Sequence, residues 1–166
     1  MSRLRHLFTH TGATAALMAA LLASPVWAGD KAVYPGSACQ PVFEFLSDPN
    51  NNNTERMTRF NGRLRNTSSQ AFLGIDCPIV RSQTDSTKGF KATVRVHNRG
   101  TRVSIAAQSR DAFGDFLDGA SQNVLTLGER EVTLLVDQSV AQGTYTLGLN
   151  LSPSSEISSY LIEELP

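Results

Sequence analysis

The residues of this 166-residue chain best suited to chemistry are its arginines. Arg59, Arg63 and Arg65 take odd positions in the run from Thr58 to Asn66, with Phe60, Gly62 and Leu64 at the even ones. Read as a single strand, the run puts three guanidinium groups on one face. Lys91, Arg95 and His97 stand on the polar side of a second alternating run, opposite Phe90, Ala92, Val94 and Val96. Arginine offers a planar fork of donors that fits a carboxylate, sulfate or phosphate. As neighbours, the two runs would form a cationic surface for an anionic glycan or surface polymer. Charge pairing across strands is the competing reading. Residues 29–102 hold 11 basic and 6 acidic groups, whereas residues 103–166 hold 2 basic and 9 acidic. Strands from the two halves would then neutralise one another.

An oxygen-rich loop is the second candidate. Asp48, Asn50 and Asn52 alternate, followed by Thr54 and Glu55. Calcium takes six to eight oxygen ligands, and Asp-x-Asn-x-Asn resembles the opening of a calcium loop. The twelfth position is Arg59 rather than a bidentate Glu, and Asn-rich turns also serve as plain solvated loops. Calcium at this loop is the one cofactor suggested. Asp111, Asp115 and Asp118 form a further acidic cluster without ligand spacing, which reads as a charged hairpin loop.

Catalytic motifs are missing from the sequence. There is no Gly-x-Ser-x-Gly, Ser-x-x-Lys, His-Glu-x-x-His or Walker loop. A small secreted hydrolase would have to rely on His97 or on a carboxylate pair such as Asp111 with Asp115. His97 sits at a strand end beside a turn and reads as a solvated histidine. The chain therefore reads as a non-enzyme.

The elements that must position these residues begin after a leader. Arg3 and Arg5 precede an apolar stretch from about Thr11 to Ala23, Pro25 breaks it, and Val26-Trp27-Ala28 forms a cleavage site before Gly29. The stretch is too short to span a bilayer of about 30 Å. Residues 1–28 are expected to be a signal peptide and 29–166 a single domain, secreted or periplasmic, with no membrane span. Trp27 and two of the three His fall in the leader. Their loss rules out a Trp sugar platform and a His-rich metal site. With 13 basic and 15 acidic groups, the mature chain is not a bulk nucleic-acid binder. Cys39 and Cys77 both lie in the mature chain without a Cys-x-x-Cys, so an exported protein would join them as a structural disulfide.

Beyond the leader, short alternating runs are separated by Gly, Pro, Asn, Asp and Ser. Val42–Leu46 (with Phe43 and Phe45 on one face), Thr58–Asn66 and Ala71–Cys77 come first. A hairpin follows: Phe90–Val96 runs out, Asn98-Arg99-Gly100 turns, with Gly able to take positive φ, and Val103, Ile105 and Ala107 return. A loop at Phe113-Gly114, a strand over Glu131–Val136, another from Gly143 to Leu151 and a last one over Ile157–Glu163 complete the set. A turn or two of helix is expected near Asp137–Gln142. The fold class is all-β, a single antiparallel β-sandwich of eight or nine strands, jelly-roll or immunoglobulin-like.

Tyr34-Pro35-Gly36-Ser37-Ala38-Cys39-Gln40-Pro41 and Cys77-Pro78-Ile79-Val80-Arg81, with Asp111-Ala112-Phe113-Gly114 and Ser158-Ser159-Tyr160, resemble a family of small exported bacterial β-sandwich proteins of uncharacterised role. The resemblance covers most of residues 34–164 and implies the Cys39–Cys77 disulfide and a β-sandwich. Relatives carry a further Cys pair in the later strands, which this chain lacks. No activity comes with the resemblance. By elimination the domain is expected to be a binding or structural accessory, engaging an anionic glycan or a surface polymer. Strand addition to a protein partner is the other non-enzymatic route.

Overall fold

A computed structural model describes residues 31–42, 56–82 and 87–165. The leader, the Asp48/Asn50/Asn52 loop and the Phe43/Phe45 pair lie outside the described residues. Among the described residues eleven strands form two antiparallel sheets. They are β1 (Lys31–Pro35), β2 (Gln40–Pro41), β3 (Met57–Phe60), β4 (Arg63–Asn66), β5 (Leu73–Cys77), β6 (Lys88–Asn98), β7 (Val103–Arg110), β8 (Phe116–Val124), β9 (Gly128–Gln138), β10 (Thr144–Leu151) and β11 (Glu156–Glu164). The first sheet runs β3-β4-β11-β6-β9, with β1 also paired to β11; the second runs β2-β5-β10-β7-β8. The all-β sandwich stands, with more strands than expected because several are short.

Alternation does the work of stacking the sheets. In β6, Phe90, Ala92, Val94 and Val96 are buried; in β10, Tyr145, Leu147, Leu149 and Leu151 are. Each large apolar side chain removed from water contributes about 1.5–3 kcal/mol. The Cys39–Cys77 disulfide joins the residue just before β2 to the end of β5, within this core.

Three local expectations are corrected. The run Thr58–Asn66 is a hairpin rather than one strand. Asn61 (φ 47°) and Gly62 (φ 77°) make a two-residue turn with positive φ at both positions, the arrangement that suits the right-handed twist of paired strands. Next, β6 and β7 do not pair as a hairpin. Asn98-Arg99-Gly100 carries the chain from one sheet to the other, so the apolar sides of both strands meet the same core. Gly100 is needed there for space, since a Cβ would lie 2.6 Å from Ser152 Oγ. Finally, Asp137–Gln142 forms no helix: β9 continues to Gln138, and a turn follows.

The crossing is held by a buried polar hub. Asn98 Nδ2 donates to the carbonyls of Val124 (3.0 Å) and Thr126 (3.3 Å). Its Oδ1 accepts from Gly100 N, Ser152 Oγ and Ser155 Oγ. One side chain thus ties three loops at one end of the sandwich, next to Arg99, which follows Asn98, and Glu156, which follows Ser155. Arg99 N in turn donates to Ser155 Oγ at 2.9 Å.

Candidate functional site

The outer face of the first sheet gathers most of the basic residues singled out from sequence. Strand register sets them in rows. Arg65 of β4 pairs with Glu156 of β11, which pairs with His97 of β6, which pairs with Glu129 of β9. In the next row Ser159, Arg95 and Glu131 stand side by side. Further along, Lys91 and Lys31 both face Glu163. Arg63, Arg65, Lys91 and Arg95 therefore share one surface, as the alternation implied.

Arg59 does not join them. The Asn61-Gly62 turn pairs it with Leu64, on the opposite face from Arg63 and Arg65. Its guanidinium donates to the carbonyls of Ser37 and Cys39, each at 3.0 Å, and to Gln40 Oε1. It clamps the segment that carries Cys39. The Asn-Gly pair was the signal for this turn; unbroken alternation on both sides of it disguised the break.

Each of the four co-facial cations has a carboxylate. Glu156 is fully buried and takes Arg63 Nη1 at 2.7 Å and the Arg65 fork at 2.8 and 2.9 Å. Arg95 Nε donates to Glu131 at 2.7 Å, and Lys91 and Lys31 pair with Glu163. These are the cross-strand pairs that the opposed charges of the two halves allowed. Arg65 also lies over the Phe60 ring, 4.9 Å from its centroid.

Pairing does not cancel the charge. Around the start of β11, Arg63, Arg65, Arg95, Arg99 and Arg130 meet only Glu129, Glu131 and Glu156. Arg99 Nη2 lies 3.5 Å from His97 Nδ1, and Arg130 donates to Thr126 Oγ1 and its neighbour's carbonyl. Among the described residues neither arginine stands in an ion pair. The cluster acts on Glu156. Burial pushes its carboxyl up, but hydrogen bonds from Arg65 and Arg63, with the charges of Arg65 and Arg99, outweigh that and leave it below the ordinary carboxylate range.

A β-bulge opens this surface. Register shifts between Ile157 and Ser159 on β11, leaving Ser158 as the extra residue. Beside it is an open depression of about 420 Å3, lined by Arg63, Arg95 and Arg130, by Glu129 and Glu131, and by Ser158 and Ser159. Guanidinium groups and serine hydroxyls can donate into this space. Glu156, Arg99 and Arg130 were not singled out from sequence, because their roles depend on which strands are neighbours.

The carboxylate pair considered for hydrolysis has another role. Asp111 Oδ1 accepts from the backbone N–H groups of Phe113 and Asp115, both at 2.8 Å, and so builds the β7–β8 loop. Asp118 Oδ2 instead accepts from the edge N–H groups of Asp137 and Gln138. Among the described residues no group of three or more His, Cys, Asp or Glu could hold a metal. No helix among them is long and apolar enough to cross a membrane.

No protein-family model matches the chain, and no curated protein does. Among solved structures it is similar to a low-affinity xylan binding module, CBM86, from Roseburia intestinalis (12% identity, TM-score 0.48, 82% of this chain and 97% of that one). It is also similar to the C-terminal CBM6 of LamC from Zobellia galactanivorans (12%, 0.48, 81% and 99%). A third is TmCBM61 in complex with β-1,4-galactotriose (12%, 0.43, 81% and 88%). Likeness at this level carries no argument about ligand, so the sandwich assignment rests on the strand pairing itself.

Proposed function

We propose that the protein is an exported, non-catalytic binding module whose arginine-rich sheet face takes up an anionic polymer, in particular a glycan bearing carboxylate or sulfate groups. One observation carries this reading: three arginines, Arg63, Arg95 and Arg130, line one depression with Glu129 and Glu131, and Arg65 and Arg99 lie near it around Glu156. Arg130 hydrogen-bonds only Thr126 Oγ1 and the Glu129 carbonyl among the described residues, and Arg95 is two-thirds exposed, with a partner that is itself half exposed. A ligand anion can compete for such groups at little cost, because exposed ion pairs are worth about 0–1 kcal/mol. The disulfide supports residence in an oxidising compartment.

Retention on heparin and on immobilised polygalacturonate, measured across a salt gradient, tests the reading. The protein should bind at low salt and elute as salt rises, since screening weakens exposed charge contacts. Arg95→Ala with Arg130→Ala should weaken binding by about tenfold or more while leaving the melting temperature unchanged. Flow-through of the wild type on both matrices at low salt would end the proposal.

A further inference from the structure

The outer face of the second sheet holds a separate groove of about 310 Å3. Its floor is formed where the register brings small residues together. Gly148 of β10 lies between Asp76 of β5 and Ala106 of β7, and Ala106 faces Ser121 of β8. Gly74, in the next row, faces Asn150 and lies under the Val42 side chain, just beyond the groove.

Neither strand glycine is required by the fold. Neither has a positive φ, and a Cβ would meet nothing closer than 3.4 Å at Gly148 or 3.8 Å at Gly74. Glycine within a strand costs about 0.5–1 kcal/mol relative to alanine. At Gly74 the Val42 side chain fills that space; at Gly148, which lines the groove, close approach of a ligand is a physical use for the missing side chain. The contrast with Gly89 is direct, since a Cβ there would fall 1.7 Å from the Val136 carbonyl oxygen.

The rim has the complementary chemistry. Ser104 Oγ donates to Asn123 Oδ1 at 2.7 Å, which leaves the Asn123 amide N–H groups as outward donors. Asp76 presents a carboxylate acceptor across the floor and is the one charged residue lining the groove. Further along the same face, the Phe116 ring is 58% exposed and lies against Gly119, where a Cβ would come within 3.1 Å of the ring. Gln108 is beside it, its Oε1 bonded by Arg110.

A pyranose ring has apolar C–H faces and hydroxyls that both donate and accept at its edges. A glycine and alanine floor suits the first; an amide on one wall and a carboxylate on the other suit the second. The exposed aromatic ring adds a stacking surface. The lone negative charge disfavours an acidic sugar. From these features we infer that the groove is a second binding site, for a neutral oligosaccharide running across β5, β10, β7 and β8 toward Phe116. It is independent of the arginine face and of the reading given to that face.

The test is a titration of the 15N-labelled protein with cellohexaose, xylohexaose, mannohexaose and laminarihexaose at millimolar concentration. At least one should shift the backbone amides of Gly74 and Gly148 and the side-chain amide of Asn123, leaving Arg95 and Arg130 unmoved. Gly148→Leu fills the floor and should abolish those shifts. Asn123→Ala, at an exposed site that cannot threaten folding, should weaken the affinity by about tenfold, or about 1.4 kcal/mol. Phe116→Ala should weaken it similarly. Absence of groove shifts with all four sugars would overturn the inference, as would unchanged affinity in both Gly148→Leu and Asn123→Ala, or shifts confined to the arginine face.

Discussion

Replacing Glu156 by Gln separates the stability of the arginine cluster from its capacity to bind. Glu156 is completely buried, although it points to the outer side of its sheet, because Arg63 and Arg65 close over it. Removing one member of a buried ion pair costs about 3–5 kcal/mol. Here the arginines keep 38% and 34% of their side-chain surface exposed, and Gln retains one oxygen for one of them. The loss should therefore be about 2–3 kcal/mol, a melting temperature lower by about 6–12 °C at pH 7. Glu131→Gln breaks a pair with side chains 67% and 52% exposed and should move the melt by less than about 2 °C. The pH dependence has a definite sign. The folded-state pKa of Glu156 lies below its ordinary value of 4.5, so its contribution is full above that value and is lost as pH falls through the folded pKa. The gap between wild type and Glu156→Gln should narrow as pH drops below about 4.5. Binding should go the other way, since removing one of three carboxylates makes the cluster more positive, and the variant should elute from heparin at higher salt. Thermal melts from pH 7 to pH 3 and a heparin gradient measure both. A Glu156→Gln melt within 2 °C of wild type at pH 7, or a gap that persists undiminished in acid, would refute the reasoning.

Cys39→Ala with Cys77→Ala should cost roughly 4 kcal/mol, the chain-entropy value for a loop of 38 residues, read by urea unfolding with and without reductant. Asn98→Ala strips five hydrogen bonds from a fully buried hub. It should destabilise by about 3 kcal/mol or more, and amide exchange should rise in the β6–β7, β8–β9 and β10–β11 loops together. Asp118→Ala removes the acceptor for the Asp137 and Gln138 N–H groups. Hydrogen exchange should quicken at those two amides while the inner strands keep their protection. The Asp137 N–H leads the contacts that hold the Asp118 carboxyl below its ordinary value, so acid below about pH 4 should produce the same local opening in the wild type.

Period-two alternation was enough to find most strands and the inward side chains. Tyr145, Leu147, Leu149 and Leu151 are buried as their spacing requires. Alternation says nothing about which sheet a strand joins. Phe90–Val96 and Val103–Ala107 have the pattern of a hairpin, yet they face each other across the core, because two apolar faces can be buried equally well by stacking as by pairing. The arginine site shows the same division. Arg63, Arg65, Lys91 and Arg95 were legible as a polar face; Glu156 was not, since its partners lie 91 and 93 residues away in sequence. Arg59 was misplaced by a turn of two residues that left the alternation intact. Asn66 offers a simpler case: it heads an Asn-x-Ser sequon, but its amide is buried and donates to the carbonyls of Ala71 and Leu151, so it is a structural residue.

The two outer faces differ in kind, and the difference follows from strand membership. β4, β6, β9 and β11 expose Arg63, Lys91, Arg95, Glu131 and Glu163, while β5, β7, β8 and β10 expose Gly74, Ala106, Gln108, Ser121, Gly148 and Asn150. The sheets lie back to back across one core about 10 Å thick, with rigid, close-packed side chains between them. A ligand on one face cannot reach the other. Coupling between the sites should therefore be absent. Saturating heparin should leave the affinity for a groove-binding hexasaccharide unchanged within about twofold, and Arg95→Ala with Arg130→Ala should do the same. Competition between the two ligands in one titration would mean that both occupy the arginine depression, and the assignment of the groove to neutral sugar would fall.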